Sequence, residues 1–204
     1  MPEANGSDVL DDVESFWDWF SNDLPRICNA WHIQPDLEDI LCCGQSSGGW
    51  LAAQSPLLRP KMKIKAILTI SSPLYTNVPA ITVPQPRTIM GAPPVPPMEA
   101  EKMIRQYIRD MPPLAVRTGG DPKVFWILMT CLLQRGWIPK LIFKKLAEDD
   151  RLDIIQSTKR AGMLPPLWAI HSLGDSVVWR LHCVRRADCA DLSIRFRRLR
   201  LPSL

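Results

Sequence analysis

Apolar residues recur at three- and four-residue spacing through Val9, Val13, Phe16, Trp17 and Phe20, which predicts an amphipathic helix over Asp8–Leu24. Ser7 or Asp8 can cap its start, and Asp11, Asp12 and Glu14 suit the positive end of its dipole. After Pro25 and the connection Trp31–Asp36, the pattern changes to a short apolar run, Ile40-Leu41-Cys42-Cys43, closed by Gly44. Its length and its glycine boundary predict a buried strand. Small and apolar residues then predict a helix over Ser47–Leu58, stopped by Pro60, and Lys65–Ile70 predicts a second buried strand.

Seven prolines between Val78 and Pro97 rule out a regular helix or a central strand there. We read a surface loop with polyproline stretches. Helical periodicity returns over Met98–Met111, Lys123–Arg135, Ile138–Ala147 and Asp150–Ala161. Pro165-Pro166 introduces Leu167-Trp168-Ala169-Ile170, a third short strand. Helix, strand, helix, strand, helical insertion, strand is the order of an α/β protein: a parallel sheet of about three strands with an inserted helical cap at about 76–162.

Composition agrees with a folded chain. Of 204 residues, 46% are hydrophobic and 23% charged, a globular balance. The longest apolar run, Val124–Leu133, is too short to span a bilayer, and the first residues form no basic-then-apolar leader. The expectation is a soluble, cytoplasmic protein. Six cysteines show no CxxC spacing and read as reduced core thiols. His182-Cys183 and Cys189 lack further ligands at zinc spacing, so no metal is expected.

Charge breaks the chain in two. Trp179–Leu204 holds seven Arg and two Asp, whereas residues 1–178 hold 18 basic and 19 acidic side chains. Three readings fit the Arg-rich stretch 179–204. It is a sequence from outside the reading frame of the rest, an arm for nucleic acid, or an amphipathic membrane-surface element built on Leu192, Ile194, Phe196, Leu199 and Leu201. The abrupt change favours the first. With Phe196 alone available for stacking, no nucleic-acid partner is expected.

The chemistry-bearing motif is Gly44-Gln45-Ser46-Ser47-Gly48, a G-x-S-x-G string between the first strand and its following helix. That context is the one a nucleophile elbow requires. The glycines Gly44 and Gly48 permit a tight turn, Ser46 stands exposed at the strand end, and the Ser47 N–H points where an oxyanion would form. The alternative is a Gly/Ser-rich helix start without catalysis.

The chain resembles the α/β-hydrolase fold-3 family, the esterase and lipase group related to hormone-sensitive lipase, in a fungal style. The resemblance rests on Pro2-Glu3-Ala4, on Ile40 through Gly49, and on Leu167 through Val178. It implies a Ser–Asp–His mechanism on carboxylic esters with no cofactor. Ser46 matches the nucleophile, Asp175 the acid that orients the histidine, and Ser47 an oxyanion-hole donor.

Two departures stand out. Members carry a His-Gly-Gly-Gly segment upstream and a catalytic His downstream, whereas here Val178 is followed by Trp179 and the Arg-rich stretch. His32, His171 and His182 do not match the base: His32 reads as a surface or capping residue, His171 as a pocket neighbour, and His182 follows Asp175 too closely. The resemblance therefore implies a hydrolase cut short at both ends, of low or no activity, with an apolar sheet face and edge left bare. The alternative is a non-catalytic fragment or binding protein whose Arg-rich stretch contacts nucleic acid or an anionic membrane.

Overall fold

The structure is a computed structural model that describes residues 4–74, 82–110, 121–142, 148–161, 164–172, 175 and 194–196. Its contacts group into two compact units, Ser7–Tyr75 with Leu146–Leu204, and Met1–Gly6 with Thr76–Lys145.

The first unit is built on a parallel sheet in the order β1 (Ile40–Gln45), β2 (Ile64–Ile70), β3 (Leu167–Ile170), β4 (Ile194–Phe196). Three of these are the strands expected from the sequence. The fourth comes from within the Arg-rich stretch, where Ile194, Arg195 and Phe196 pair with Leu167, Trp168 and Ala169. The rest of 179–204, including His182, Cys183 and Cys189, lies outside the described residues.

Side chains alternate across the pleat. Ile40, Cys42, Ile67, Thr69, Leu167 and Ala169 are buried, and the intervening positions look outward. Helix α3 (Ser47–Leu58) links β1 to β2 and packs on both. It buries Gly49, Trp50, Ala52, Ala53, Gln54, Ser55 and Pro56. Leu41 stays 58% exposed and Trp168 42%, with Ile70 close behind, so the outward sheet face presents exposed apolar side chains on β1, β2 and β3, while Ala66, Leu68 and Ile170 are half-buried.

Helix α1 (Gly6–Asn22) buries Leu10 and Trp17, and its aromatic residues stack edge-on, Trp17 against Phe16 and Phe20. Pro25 does not simply break the chain; it occupies the first turn of a second helix, α2 (Leu24–Ala30), where its missing N–H removes no bond. Arg59, at the end of α3, reaches α1 through the Glu14 carbonyl at 2.9 Å and the Asp18 carboxylate at 2.7 Å.

The second unit contains α4 (Pro97–Arg109), α5 (Pro122–Gln134) and α6 (Trp137–Ile142). Ala100, Ile104, Leu128, Cys131 and Leu132 form its core. The described part of the proline-rich segment, residues 82–96, is largely irregular but pinned rather than loose. The buried Gln134 side chain donates to the Arg87 carbonyl at 2.8 Å and accepts from the Val95 N–H at 3.0 Å. One amide thereby serves backbone groups that proline cannot pair within regular structure. Return to the sheet runs through a short 3-10 turn (Asp150–Leu152) and α7 (Ile154–Ala161), which packs against α3.

Candidate active site

The turn from β1 into α3 is tight because its backbone passes itself at close range. A side chain on Gly44 would meet the Gly48 carbonyl oxygen at 2.1 Å, and one on Gly49 would meet Ser72 Oγ at 1.8 Å. Gly48 has open space around it, so the steric demand falls on Gly44 and Gly49, the second of which lies outside the G-x-S-x-G string.

Ser46 occupies the apex at φ 52, ψ −129. A non-glycine residue at positive φ is strained, and such strain gathers at functional sites. Its backbone is held from both sides: the N–H donates to the Ile70 carbonyl at 2.9 Å, and the C=O accepts from the Gly49 N–H at 3.1 Å. Ser46 is exposed and its hydroxyl makes no capping bond to the helix, which leaves it available for other chemistry. Ser47 opens α3, where N–H groups of the first turn have no intrahelical acceptor and carry the positive end of the dipole.

Asp175 follows β3. Its Oδ2 stands 3.9 Å from His171 Nε2, with 8% of the histidine side chain and 14% of the aspartate exposed. The sheet ladder sets their level relative to the elbow. Gln45 and Ile170 both pair with Ile70, so Ser46 and His171 each lie one residue beyond the same rung, at the same end of the sheet. Two strand spacings separate their backbones, on the order of 10 Å. The fold thus gathers Gly44, Ser46, Ser47 and Gly48 in one turn and places Asp175 two strands away, facing His171. His32, at φ 56, is exposed and its N–H donates to the Asn29 carbonyl at 3.0 Å, closing the end of α2.

Other candidate chemistry is quiet. Burial, and then its neighbour Cys43, pushes the Cys42 thiol up to about 11, so it stays protonated and inert at neutral pH. Among the described residues no group of His, Cys, Asp and Glu is placed to hold a metal ion. No described helix is long and apolar enough to cross a membrane. A cavity of about 710 Å³, lined by Gln54, Leu57, Met62, Arg160 and Pro166, opens where β2 and β3 begin, the opposite end from Ser46.

A parallel sheet whose strand turns through a positive-φ serine into the helix behind it is the frame of an α/β hydrolase. Comparison with known proteins agrees. The chain is 50% identical over 180 residues to a probable carboxylesterase of Phoma sp. (strain ATCC 20986 / MF5453), matching 87% of this chain and 55% of that protein. It is 48% identical over 180 residues to a probable carboxylesterase of Cochliobolus lunatus, matching 87% of this chain and 81% of that protein. It therefore belongs to the α/β-hydrolase esterase family. A protein of unknown function from Staphylococcus aureus subsp. aureus Mu50 shares the fold at a TM-score of 0.61 and 17% identity, over 98% of this chain and 64% of that one. No family model matches the sequence. The chain spans about half the length of the Phoma relative.

Proposed function

We propose that this chain carries the serine-nucleophile half of a carboxylic-ester hydrolase of the fold-3, hormone-sensitive-lipase-like type, acting on a small-molecule ester. The observation that carries the reading is Ser46: exposed, strained, and without a capping role. In the reaction, Ser46 Oγ attacks the acyl carbon and its proton passes to a base. The carbonyl oxygen becomes an oxyanion beside the Ser47 N–H, the alcohol leaves with a proton, and water then releases the acyl group as a carboxylic acid. Asp175 is the acid whose charge steadies a protonated imidazole.

None of the three histidines in these 204 residues holds the family's base position. Losing a triad base lowers turnover by about six orders of magnitude, leaving a residue of roughly 10³–10⁴ over water. Turnover by these residues alone is accordingly low. Fluorophosphonate labelling tests the reading: slow label that maps to Ser46 and vanishes in Ser46→Ala supports it. Label equal in both proteins removes Ser46 as the nucleophile.

A further inference from the structure

We propose that Ser72 is a positioning residue for Ser46, a role that rests on Ser46 being the nucleophile. Ser72 lies past the end of β2, 26 residues from Ser46, and is only 2% exposed. Its hydroxyl donates to the Ile70 carbonyl at 3.2 Å. That same carbonyl accepts the Ser46 N–H at 2.9 Å. Two donors from two different strand ends converge on one oxygen, and the direction of that oxygen is fixed by both.

Ser72 also touches the other side of the elbow. Its Oγ fills the space where a side chain on Gly49 would stand, 1.8 Å from the ideal Cβ position. Gly49 is the residue whose N–H donates to the Ser46 carbonyl. Both backbone bonds that clamp Ser46 therefore end on groups that Ser72 braces, one by hydrogen bond and one by contact.

The chain reaches this arrangement through a second strained turn. Ser71 sits at φ 47, yet its N–H keeps the sheet ladder going by donating to the Ile170 carbonyl at 2.8 Å. The positive φ folds Ser72 back over Ile70 instead of letting it run on. Positive-φ serines thus turn the chain at the ends of two adjacent strands, and Ser46 and Ser72 meet on the Ile70 carbonyl. A misplacement of about 1 Å at a nucleophile costs up to ~100-fold in rate, so a brace on the elbow acts directly on reactivity.

The test uses the full chain with Ser72→Ala, which removes the hydroxyl, and Ser72→Thr, which keeps it. Hydrogen exchange of the Ser46 amide and fluorophosphonate kinetics are read together with the melting temperature. Expected for Ala are exchange about tenfold faster, confined to residues 44–49, and phosphonylation about tenfold slower at unchanged reversible affinity. Thr restores both. Unchanged exchange and labelling in Ala, Thr behaving as Ala, or faster exchange spread over all of β2 and α3 with a lowered melting temperature would each overturn the positioning role while leaving the nucleophile in place. A wild-type chain that never labels at Ser46 overturns the nucleophile reading, and the positioning role with it.

Discussion

The side-chain amide of Gln54 donates to the carbonyl of Arg151 at 2.9 Å, across 97 residues of sequence. Gln54 belongs to α3, behind the elbow, and Arg151 to the turn that returns the chain to the sheet. The glutamine is fully buried, and its Oε1 has no hydrogen-bond partner among the described residues.

Gln54→Ala removes the bond and leaves a cavity, so we expect a loss of about 2–3 kcal/mol in urea denaturation. Gln54→Leu fills the space and deletes the unpaired acceptor. Its loss is expected to be smaller, under about 1.5 kcal/mol, with the Arg151 carbonyl alone left short of a donor. Equal losses for both substitutions would show that the bond, not packing, holds this junction.

Acid should loosen the same junction. The Arg151 guanidinium grips Asp149 at 2.7 and 2.9 Å and reaches Glu14 and Asp11 at 3.0 Å each. Hydrogen bonding from Arg151, helped by Ser7, holds the Asp149 carboxyl at about 2, below its ordinary 3.8. The folded state thus binds fewer protons here than the unfolded state. The resulting stability is present in full above about pH 4 and lost as pH falls toward 2. Urea midpoints between pH 2 and 6 should decline in that window for the wild type, and less steeply for Asp149→Asn.

The elbow glycines should respond unequally. Gly44→Ala drives a methyl against the Gly48 backbone at 2.1 Å, where nothing flexible can give way, and folded yield should collapse. Gly48→Ala meets nothing within 4 Å inside a helix, and the melting temperature should hold or rise, by the equivalent of up to about 1 kcal/mol.

The exposed apolar side chains of the sheet should make the protein sticky. Leu41 and Trp168 lie on the outward side of β1 and β3, away from α3. Leu41→Lys with Trp168→Lys should lower light scattering and binding of a hydrophobic dye, with little change in the far-ultraviolet circular dichroism. Unaltered scattering would place the self-association elsewhere.

Legibility in the sequence followed the range of the interactions. β1, the turn and α3 follow one another without a break in the sequence, so the apolar run, the glycine and the helix start are legible together at Ile40–Leu58. The strand Ile194–Phe196 could not, because its one exposed signal was the arginine run around it and its partner strand is 27 residues upstream. Pro25 reads equally as a stop or a start, and α2 depends on which side the helix lies. Gly49 and Ser72 escape a reading of the sequence for a sharper reason: their contact joins the first turn of α3 to the end of β2, and nothing local in Ser71-Ser72 advertises it. A G-G pair at 48–49 was the only available hint.

The backbone conformation of Ser46 disfavours its own side chain. At φ 52 glycine is the residue that folding alone would choose, because it enters that region without the roughly 1 kcal/mol or more that a side chain incurs. Ser46→Gly should therefore melt higher than the wild type while losing any label at this position. The serine works against thermal stability, and what the strained backbone gains in exchange is an exposed hydroxyl at the apex of the turn.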